Sequence, residues 1–448
     1  MKSNLENKKL LEESPISKLF ARYAIPSVIT FLFFGFQNLI DGVIVGNYIG
    51  SDALGGVNII LPFYSIMIVI ELIIGIGSQT IVSIGIGEQK IQKAQNAITT
   101  GFWALLIIAF IITVILFLFS EKLALMLGAN QEMLPFSLSY VKGLAPFIIP
   151  ILLCFYSDAI LKASGHPRFS MIIMSTIVLL NIILSMYFVI VLKLGVMGAS
   201  LATGIAFTIG LLISGYIIFN PKQKLSMLKG KFKRNLLIKI VYNGSSEGVS
   251  ELGSAATILI INLAVVKLAG ADGVAAFTAI NYINFTGVLI FLGVSDGLIP
   301  VLSYNYGAKN YNRVKAIFKF AARVNIIIGL LIFSIFHIWG SSIIQLFFDG
   351  NNPKVTEIAE QGLSIYSFVF LINGLNILTT SLFTSLENAK LSIVISALRS
   401  LVFVFIGVSV LSKYMGINGI WIALPLAEVF TLIVSLYLIY ITNKRLLK

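Results

Sequence analysis

Asp41 lies inside an apolar stretch of the sequence, with Gln37 and Asn38 about one helical turn before it. Gln37 and Asp41 are four residues apart, so a helix places both on one face. A charge at the bilayer centre costs roughly 2.5–3.5 kcal/mol on insertion scales, and desolvation favours a protonated carboxyl group. We therefore predict that Asp41 binds and releases a cation. The alternative is a structural hydrogen bond to a neighbouring helix.

Glu247 and Glu251 form a second acidic pair early in another apolar stretch. They are also four residues apart, and two like carboxylates on one face in a low dielectric do not readily both ionise. The pair predicts a second cation site or a polar gate. The alternative places Glu247 at the membrane interface, solvated or paired with Lys239.

Two further charge pairs are predicted to be structural. Asp158 and Lys162 are four residues apart and favour an ion pair, and Arg399 and Glu428 favour a pair between the last two helices. The sequence holds only two His and one Cys, and it has no phosphate-binding Gly-x-x-x-x-Gly-Lys-Ser/Thr motif. We expect no metal and no cofactor.

The composition places these acids in a membrane protein. The chain has 448 residues, of which 58% are hydrophobic and 11% charged, with a mean hydropathy of +0.97. A soluble domain is about 25% charged. The formal net charge of +13 does not indicate nucleic acid, because the basic residues fall in short loops between apolar runs.

The apolar runs predict twelve transmembrane helices. Of the 32 basic residues, 25 fall in the termini and the loops on their side of the membrane, which predicts that both termini are cytoplasmic. We expect a multi-pass protein of the inner (plasma) membrane. The one long polar interval, residues 220–234, carries six basic residues and no acid, and we expect it to lie along anionic headgroups.

The two halves of the sequence repeat each other at an offset of 220 or 221 residues. Gly50 matches Gly270 and Gly195 matches Gly416, whereas Asp41 falls on Ile261. Six helices per repeat give both repeats the same orientation, which is a transporter arrangement. The fold class is therefore all-α, with an N-terminal lobe at 1–219, a linker at 220–234 and a C-terminal lobe at 235–448.

Several stretches, in this order and spacing, resemble the multidrug and toxic compound extrusion family. They are Asp41-x-x-x-x-Gly46 with Ala53-Leu54, Asn181-x-x-Leu184, Gly195-x-x-Gly198-Ala199, Gly293-Val294-Ser295-Asp296-Gly297-Leu298-Ile299-Pro300 and Ser303-Tyr304-Asn305-Tyr306-Gly307-Ala308. The last stretch looks most like the bacterial branch of staphylococcal multidrug exporters. The resemblance implies a V-shaped, two-lobe exporter of organic cations, driven by H⁺ or Na⁺ through alternating access.

The resemblance also implies roles for individual residues. Asn181 and Thr203 match positions of the family's first cation site, and Pro26 matches a proline at which the first helix bends. The family's usual Asp four residues after the Asn is replaced by Ser185. This departure leaves Asp41 nearly alone as the acid and favours H⁺.

We expect the substrate to bind in a cavity between the lobes, lined by aromatic and amide side chains that suit flat cations. The candidates are Gln37, Asn58, Tyr64, Tyr156, Asn281, Tyr282, Asn284 and Asn376. We further expect a monomer, surrounded by lipid, that binds no nucleic acid. An alternative is a lipid-linked oligosaccharide flippase of the same superfamily, although such a protein would need several cavity Arg or Lys and only Arg399 is available. A membrane enzyme is disfavoured because no catalytic motif is present, and uptake in place of export stays open.

Overall fold

The computed structural model describes residues 10–348 and 352–446, which are helical with short connections and contain no strand. The helices are α1 (Ile16–Tyr48), α2 (Ser51–Gly87), α3 (Ile91–Met126), α4 (Leu134–Leu144), α5 (Ile148–Ala163), α6 (Pro167–Met186), α7 (Gly195–Ile218), α8 (Arg234–Gly307), α9 (Tyr311–Gln345), α10 (Pro353–Tyr366), α11 (Phe370–Ser385), α12 (Ala389–Ala397) and α13 (Phe403–Leu446). Single 3₁₀ turns join α4 to α5 and α10 to α11, and π-helical turns follow α6 (Tyr187–Val191) and α12 (Leu398–Val402).

The prediction of an all-α protein with twelve membrane helices is confirmed. Ten continuous helical segments of the described chain are long and apolar enough to cross a membrane. Two of these segments are double, because α8 is broken at Gly270 (φ 58°) and the last segment is broken at Gly416 (φ 57°). L-residues avoid this left-handed backbone, so glycine allows the chain to turn back there without an intervening loop.

The backbone repeats as the sequence predicted. Gly50 and Gly270 both have positive φ, as do Gly195 and Gly416. Gln89 and Lys309, which are also 220 residues apart, share φ values of 61° and 59°. Residues other than glycine rarely adopt this conformation, so a shared instance at one offset indicates the same turn in both repeats.

The outward faces of the helices are apolar. On α3, Phe110, Phe117 and Leu118 are 59–69% exposed, and α9 exposes Ile327, Leu330 and Leu331 in the same way. A soluble monomer rarely leaves such continuous apolar surface in water. Such faces are typical of helices that cross a membrane.

The chain forms two compact units. The C unit comprises Met1–Val28, Ser245–Tyr306 and Asn310–Lys448, and the N unit comprises Ile29–Gly244 and Gly307–Lys309. Helices α1 and α8 thus each contribute to both units, and Pro26 lies in α1 two residues before the change. The lobe boundaries predicted from the repeat, at 219 and 235, stay a prediction.

Each unit has its own core. In the N unit, Ile81, Ile98, Ile148, Tyr156 and Phe207 belong to one large buried cluster. In the C unit, the corresponding cluster is built around Ile261, Phe277, Leu363 and Trp421. Interhelical van der Waals packing of this kind holds helices together in lipid, where the hydrophobic effect between helices is small.

Glycines allow the shared helices to dock closely within each unit. In the N unit, a Cβ atom at Gly77 of α2 would overlap the carbonyl oxygen of Ile240 at the start of α8. In the C unit, a Cβ atom at Gly297 of α8 would overlap the carbonyl oxygen of Tyr23 in the first half of α1. Gly77 and Gly297 are equivalent in the repeat, and each makes a close backbone-to-backbone contact in its own unit.

We predict that Gly77→Val destabilises the protein, because its side chain meets rigid backbone rather than a flexible side chain. Overpacking of this kind typically costs about 1–3 kcal/mol. The matched control is Gly42→Ala in α1, where an added Cβ meets nothing within 4 Å. Melting temperatures of the purified variants in one detergent check this. Equal melting temperatures for Gly77→Val and wild type would contradict the close contact.

Candidate functional site

The N unit holds a polar group that we call the Asp41 cluster: Gln37 and Asp41 of α1, Asn181 and Ser185 of α6, and Thr203 of α7. The Ser185 hydroxyl donates to Asp41 Oδ1 at 3.4 Å, and the Gln37 side chain is also hydrogen-bonded to Asp41. The Asn181 amide donates to Thr203 Oγ1 at 2.9 Å. The structure therefore joins three helices at the residues predicted for the first cation site.

The Asp41 cluster offers oxygen atoms to a cation. Gln37 Oε1 and Asn181 Oδ1 are buried and have no hydrogen-bond partner among the described residues. A carboxylate can bind H⁺, and carboxylate and amide oxygens together are the ligands that Na⁺ and other hard metal cations prefer. Within residues 10–348 and 352–446, no Lys or Arg forms an ion pair with Asp41. The negative charge of the cluster is therefore not compensated by a basic side chain bonded to it.

A small buried apolar cluster lies one helical turn from the Asp41 cluster. Val45 and Ala199 lie one turn from Asp41 and Thr203 and belong to a small buried cluster with Ile44, Ala53, Val189 and Val196. Tyr64 and Tyr140 lie within electrostatic reach of Asp41. The carboxyl group is thus separated from the connection between α1 and α2 by at least one apolar layer.

The C unit holds a different group, which we call the Glu428 cluster: Glu428 of α13 with Asn373 and Asn376 of α11. The two amide groups donate to Oε1 and Oε2 of Glu428, each at 2.7 Å. Asn376 also donates to the backbone oxygen of Glu428 at 2.9 Å and accepts from Ser435 at 3.2 Å. Charge-assisted bonds of this kind are the strong ones in a buried site.

The C unit holds two further charged side chains near this group, Glu247 and Arg399. Thr384 donates to Glu247 Oε1 at 3.5 Å, and the charges of Arg399, Asp296 and Glu251 all act on Glu247. Arg399 stands in the π-helical turn after α12, and its charge also acts on Glu428. The prediction that Glu247 and Glu251 form a cation site stays a prediction, and the charge of Arg399 acts on Glu247 and on Glu428.

The predicted substrate residues differ in how far their polar atoms are already engaged. Tyr156 is buried and donates to the Ile98 carbonyl at 2.7 Å, and the amide of Asn376 is occupied by Glu428 and Ser435. Asn58 and Tyr282 are exposed, and Tyr64, Asn281 and Asn284 are half-buried. Gln37 is buried beside Asp41. Substrate contact stays a prediction for all eight residues.

The predicted Asp158–Lys162 ion pair is confirmed, with 2.5 Å between Lys162 Nζ and Asp158 Oδ2. Ser170 of α6 donates to the same carboxylate.

Sequence reasoning paired Glu428 with Arg399 and missed Asn373. The available signal was the three-residue spacing of Asn373 and Asn376, which places two amides on one face of an otherwise apolar helix.

We predict that Asn376→Ala destabilises the protein, because it leaves one oxygen of the buried Glu428 without its donor. Loss of a hydrogen bond to a buried charged group costs about 1.5–3 kcal/mol. Asn58→Ala is the control, since its exposed side chain makes no such bond. Thermal unfolding in detergent measures both. An unchanged melting temperature for Asn376→Ala would show that the amide does not hold Glu428.

Comparison with known proteins agrees with the repeat and the fold. The sequence profile of the MatE family matches this chain twice, at residues 26–187 and 250–409. The chain is 25% identical over 443 residues to the multidrug export protein MepA of Staphylococcus haemolyticus (strain JCSC1435), covering 97% of this chain and 96% of that protein. It is 24% identical over 444 residues to MepA of Staphylococcus aureus (strain MRSA252), with the same coverage.

Solved structures share the fold. A crystal structure of MATE in complex with MaL6 superposes with a TM-score of 0.91 at 22% identity, covering 98% of both chains. An outward-facing multidrug resistance MATE family transporter of the MOP superfamily gives a TM-score of 0.92 at 22% identity, again over 98% of both chains. A family profile that matches most of the chain, once in each repeat, leads to one conclusion: this multi-pass membrane protein of the cell membrane belongs to the MatE family.

Proposed function

We propose that the protein is a secondary antiporter that exports organic cations and drugs in exchange for H⁺ or Na⁺ by alternating access. The observation that carries this proposal is the Asp41 cluster, in which three helices bring neutral donors and unpaired amide oxygens around one half-buried carboxylate. The similar proteins named multidrug export protein support drugs as the substrate class.

A single acid that carries one proton is sufficient to drive export of a neutral drug. Holding a 100-fold gradient of a neutral drug takes about 2.7 kcal/mol. One inward H⁺ gains about 2.3 kcal/mol per 100 mV, plus about 1.4 kcal/mol per pH unit. A monovalent cationic drug moving outward costs the same 2.3 kcal/mol per 100 mV, which cancels the gain from the potential on one inward H⁺. The remaining gain of about 1.4 kcal/mol per pH unit does not hold a 100-fold gradient across one pH unit, whereas two inward charges do.

We favour H⁺ as the ion at the Asp41 cluster. Ser185 supplies a neutral hydroxyl where relatives of the resembled family carry a second acid, so the cluster holds one carboxylate. One carboxylate binds one proton without further ligands, whereas a metal cation needs several oxygen ligands at once. Na⁺ is the alternative, for which the unpaired oxygens of Gln37 and Asn181 would be additional ligands.

The second inward charge would be taken up in the C unit. Glu247 is the preferred acid, because it accepts a long bond from Thr384 and has Glu251 and Asp296 within electrostatic reach. Glu428 is a weaker choice, since both of its oxygens already accept from amides. Among the substrate candidates we favour Gln37, Asn58, Tyr64, Asn281, Tyr282 and Asn284, because the polar atoms of Tyr156 and Asn376 are engaged.

The flippase alternative is less well supported. Recognition of a pyrophosphate-linked lipid calls for several uncompensated basic side chains. Arg399 is the candidate basic residue, and its charge is offset by Glu247 and Glu428. We further propose that both termini lie in the cytoplasm, on the basis of the loop charges, and that the protein acts as a monomer.

We predict that Asp41→Asn abolishes gradient-driven efflux while leaving the fold intact, because the amide has the shape of the acid but cannot cycle a proton. The measurement is uptake of ethidium into energised inside-out vesicles, in which export appears as uptake, with the melting temperature as a folding check. Efflux at the wild-type rate in Asp41→Asn would refute coupling through this residue.

Ser185→Asp is the matched variant for the choice of ion. It adds a second carboxylate next to Asp41, and we expect it to make efflux depend on Na⁺ while wild-type efflux depends on pH. If wild type and Ser185→Asp respond identically to both ions, the position does not contribute to ion choice.

We predict that single Glu247→Gln and Glu251→Gln substitutions change the pH or Na⁺ dependence of drug binding. Removal of one acid removes its electrostatic effect on the other. Binding titrations of a fluorescent cation over a pH series, with and without Na⁺, measure this. If neither variant differs from wild type, the C unit has no cation site at these residues.

A further inference from the structure

The connection between α7 and α8 is the most basic segment of the chain. Residues 220–234, which we call the basic strap, hold Lys222, Lys224, Lys229, Lys231, Lys233 and Arg234 and no acid. The strap begins at the end of one membrane helix and ends at the start of another. It therefore lies where the membrane meets water.

The strap is held in place through its backbone rather than through its basic side chains. Residues in the first turns of α3 bond to it: Gln95 to Lys224 O (2.7 Å), Thr99 to Met227 O (2.7 Å), Asn96 to Lys231 N (2.8 Å), Thr100 to Lys233 N (3.0 Å) and Gln92 to Lys229 O (3.4 Å). Ser226 and Met227 are buried against this face. At Gly230, a Cβ atom would overlap the Gln95 carbonyl and the Thr99 hydroxyl.

The docked backbone leaves the basic side chains free of acidic partners. All six are exposed, and in the described parts of the chain none forms an ion pair with a carboxylate. Lys229 alone uses its ammonium group, to donate to the Gln223 carbonyl at 2.9 Å. Leu228 and Phe232 are 61% and 47% exposed among these charges.

We propose that the basic strap is a preformed binding surface for the headgroups of anionic phospholipids, such as phosphatidylglycerol. Each basic residue near an anionic membrane surface contributes about 1 kcal/mol, and exposed Leu and Phe side chains insert at the headgroup boundary. Because α3 already fixes the strap, lipid binding does not have to order this segment. The surface is independent of the drug and of the coupling ion.

The test measures phosphatidylglycerol and phosphatidylcholine binding to the purified full-length protein by native mass spectrometry and by shift of melting temperature. The strap variant carries Lys222→Gln, Lys224→Gln, Lys231→Gln and Lys233→Gln. The matched control carries Lys315→Gln, Lys319→Gln, Arg323→Gln and Lys390→Gln in the C unit. We expect wild type and control to prefer phosphatidylglycerol, and the strap variant to lose about tenfold or more of that affinity.

Gly230→Ala tests whether the surface is preformed, because it disturbs docking and leaves the charge unchanged. We expect weaker phosphatidylglycerol binding for this variant and unchanged phosphatidylcholine binding. The proposal is wrong if the control loses as much affinity as the strap variant, or if Gly230→Ala binds phosphatidylglycerol like wild type. It is also wrong if a short RNA binds through these lysines while phosphatidylglycerol does not.

Discussion

The cost of burying a carboxylate among apolar helices governs the chemistry of this protein. A buried charge persists only where donors, opposite charge or a proton compensate its lost hydration. Glu428 accepts from two amide donors and feels the charge of Arg399, which together offset part of this cost. Asp41 has a long bond from Ser185, a bond to Gln37 and no basic partner in the described chain. This weaker compensation is the reason we propose Asp41 as the site of reversible cation binding.

The two repeats share a backbone and differ in these acids. Asp41 corresponds to Ile261 and Glu428 corresponds to Phe207, and both of these apolar residues lie in the core of their own unit. Asp41 lies on one of the two helices that contribute residues to both units. Asp41 lies in the part of α1 that belongs to the N unit, whereas the part before Ile29 docks on Gly297 in the C unit. Asp41 therefore lies on a helix whose two ends belong to different units.

Periodicity and glycine placement made much of this fold predictable. The apolar runs indicated twelve helices, and the matched glycines at 50, 195, 270 and 416 indicated turns that the structure places at positive φ. The division of α1 and α8 between the two units was not predictable from the sequence. It depends on close backbone contacts such as Gly77 with Ile240. Of the sites, the pairing of Asp41 with Ser185 followed from a family resemblance. The amide partners of Glu428 required the packing of α11 on α13, which no local pattern specifies.

The account depends most directly on a proton passing through Asp41. The protein would be reconstituted in liposomes, and extrusion of an ethidium-like dye followed under an imposed H⁺ gradient, an imposed Na⁺ gradient or neither. Each gradient would be imposed so that the ion flows down it in the direction opposite to dye extrusion. We expect the H⁺ gradient alone to drive extrusion in wild type and to have no effect in Asp41→Asn. Extrusion driven only by the Na⁺ gradient, or by the H⁺ gradient equally in both proteins, would contradict the account.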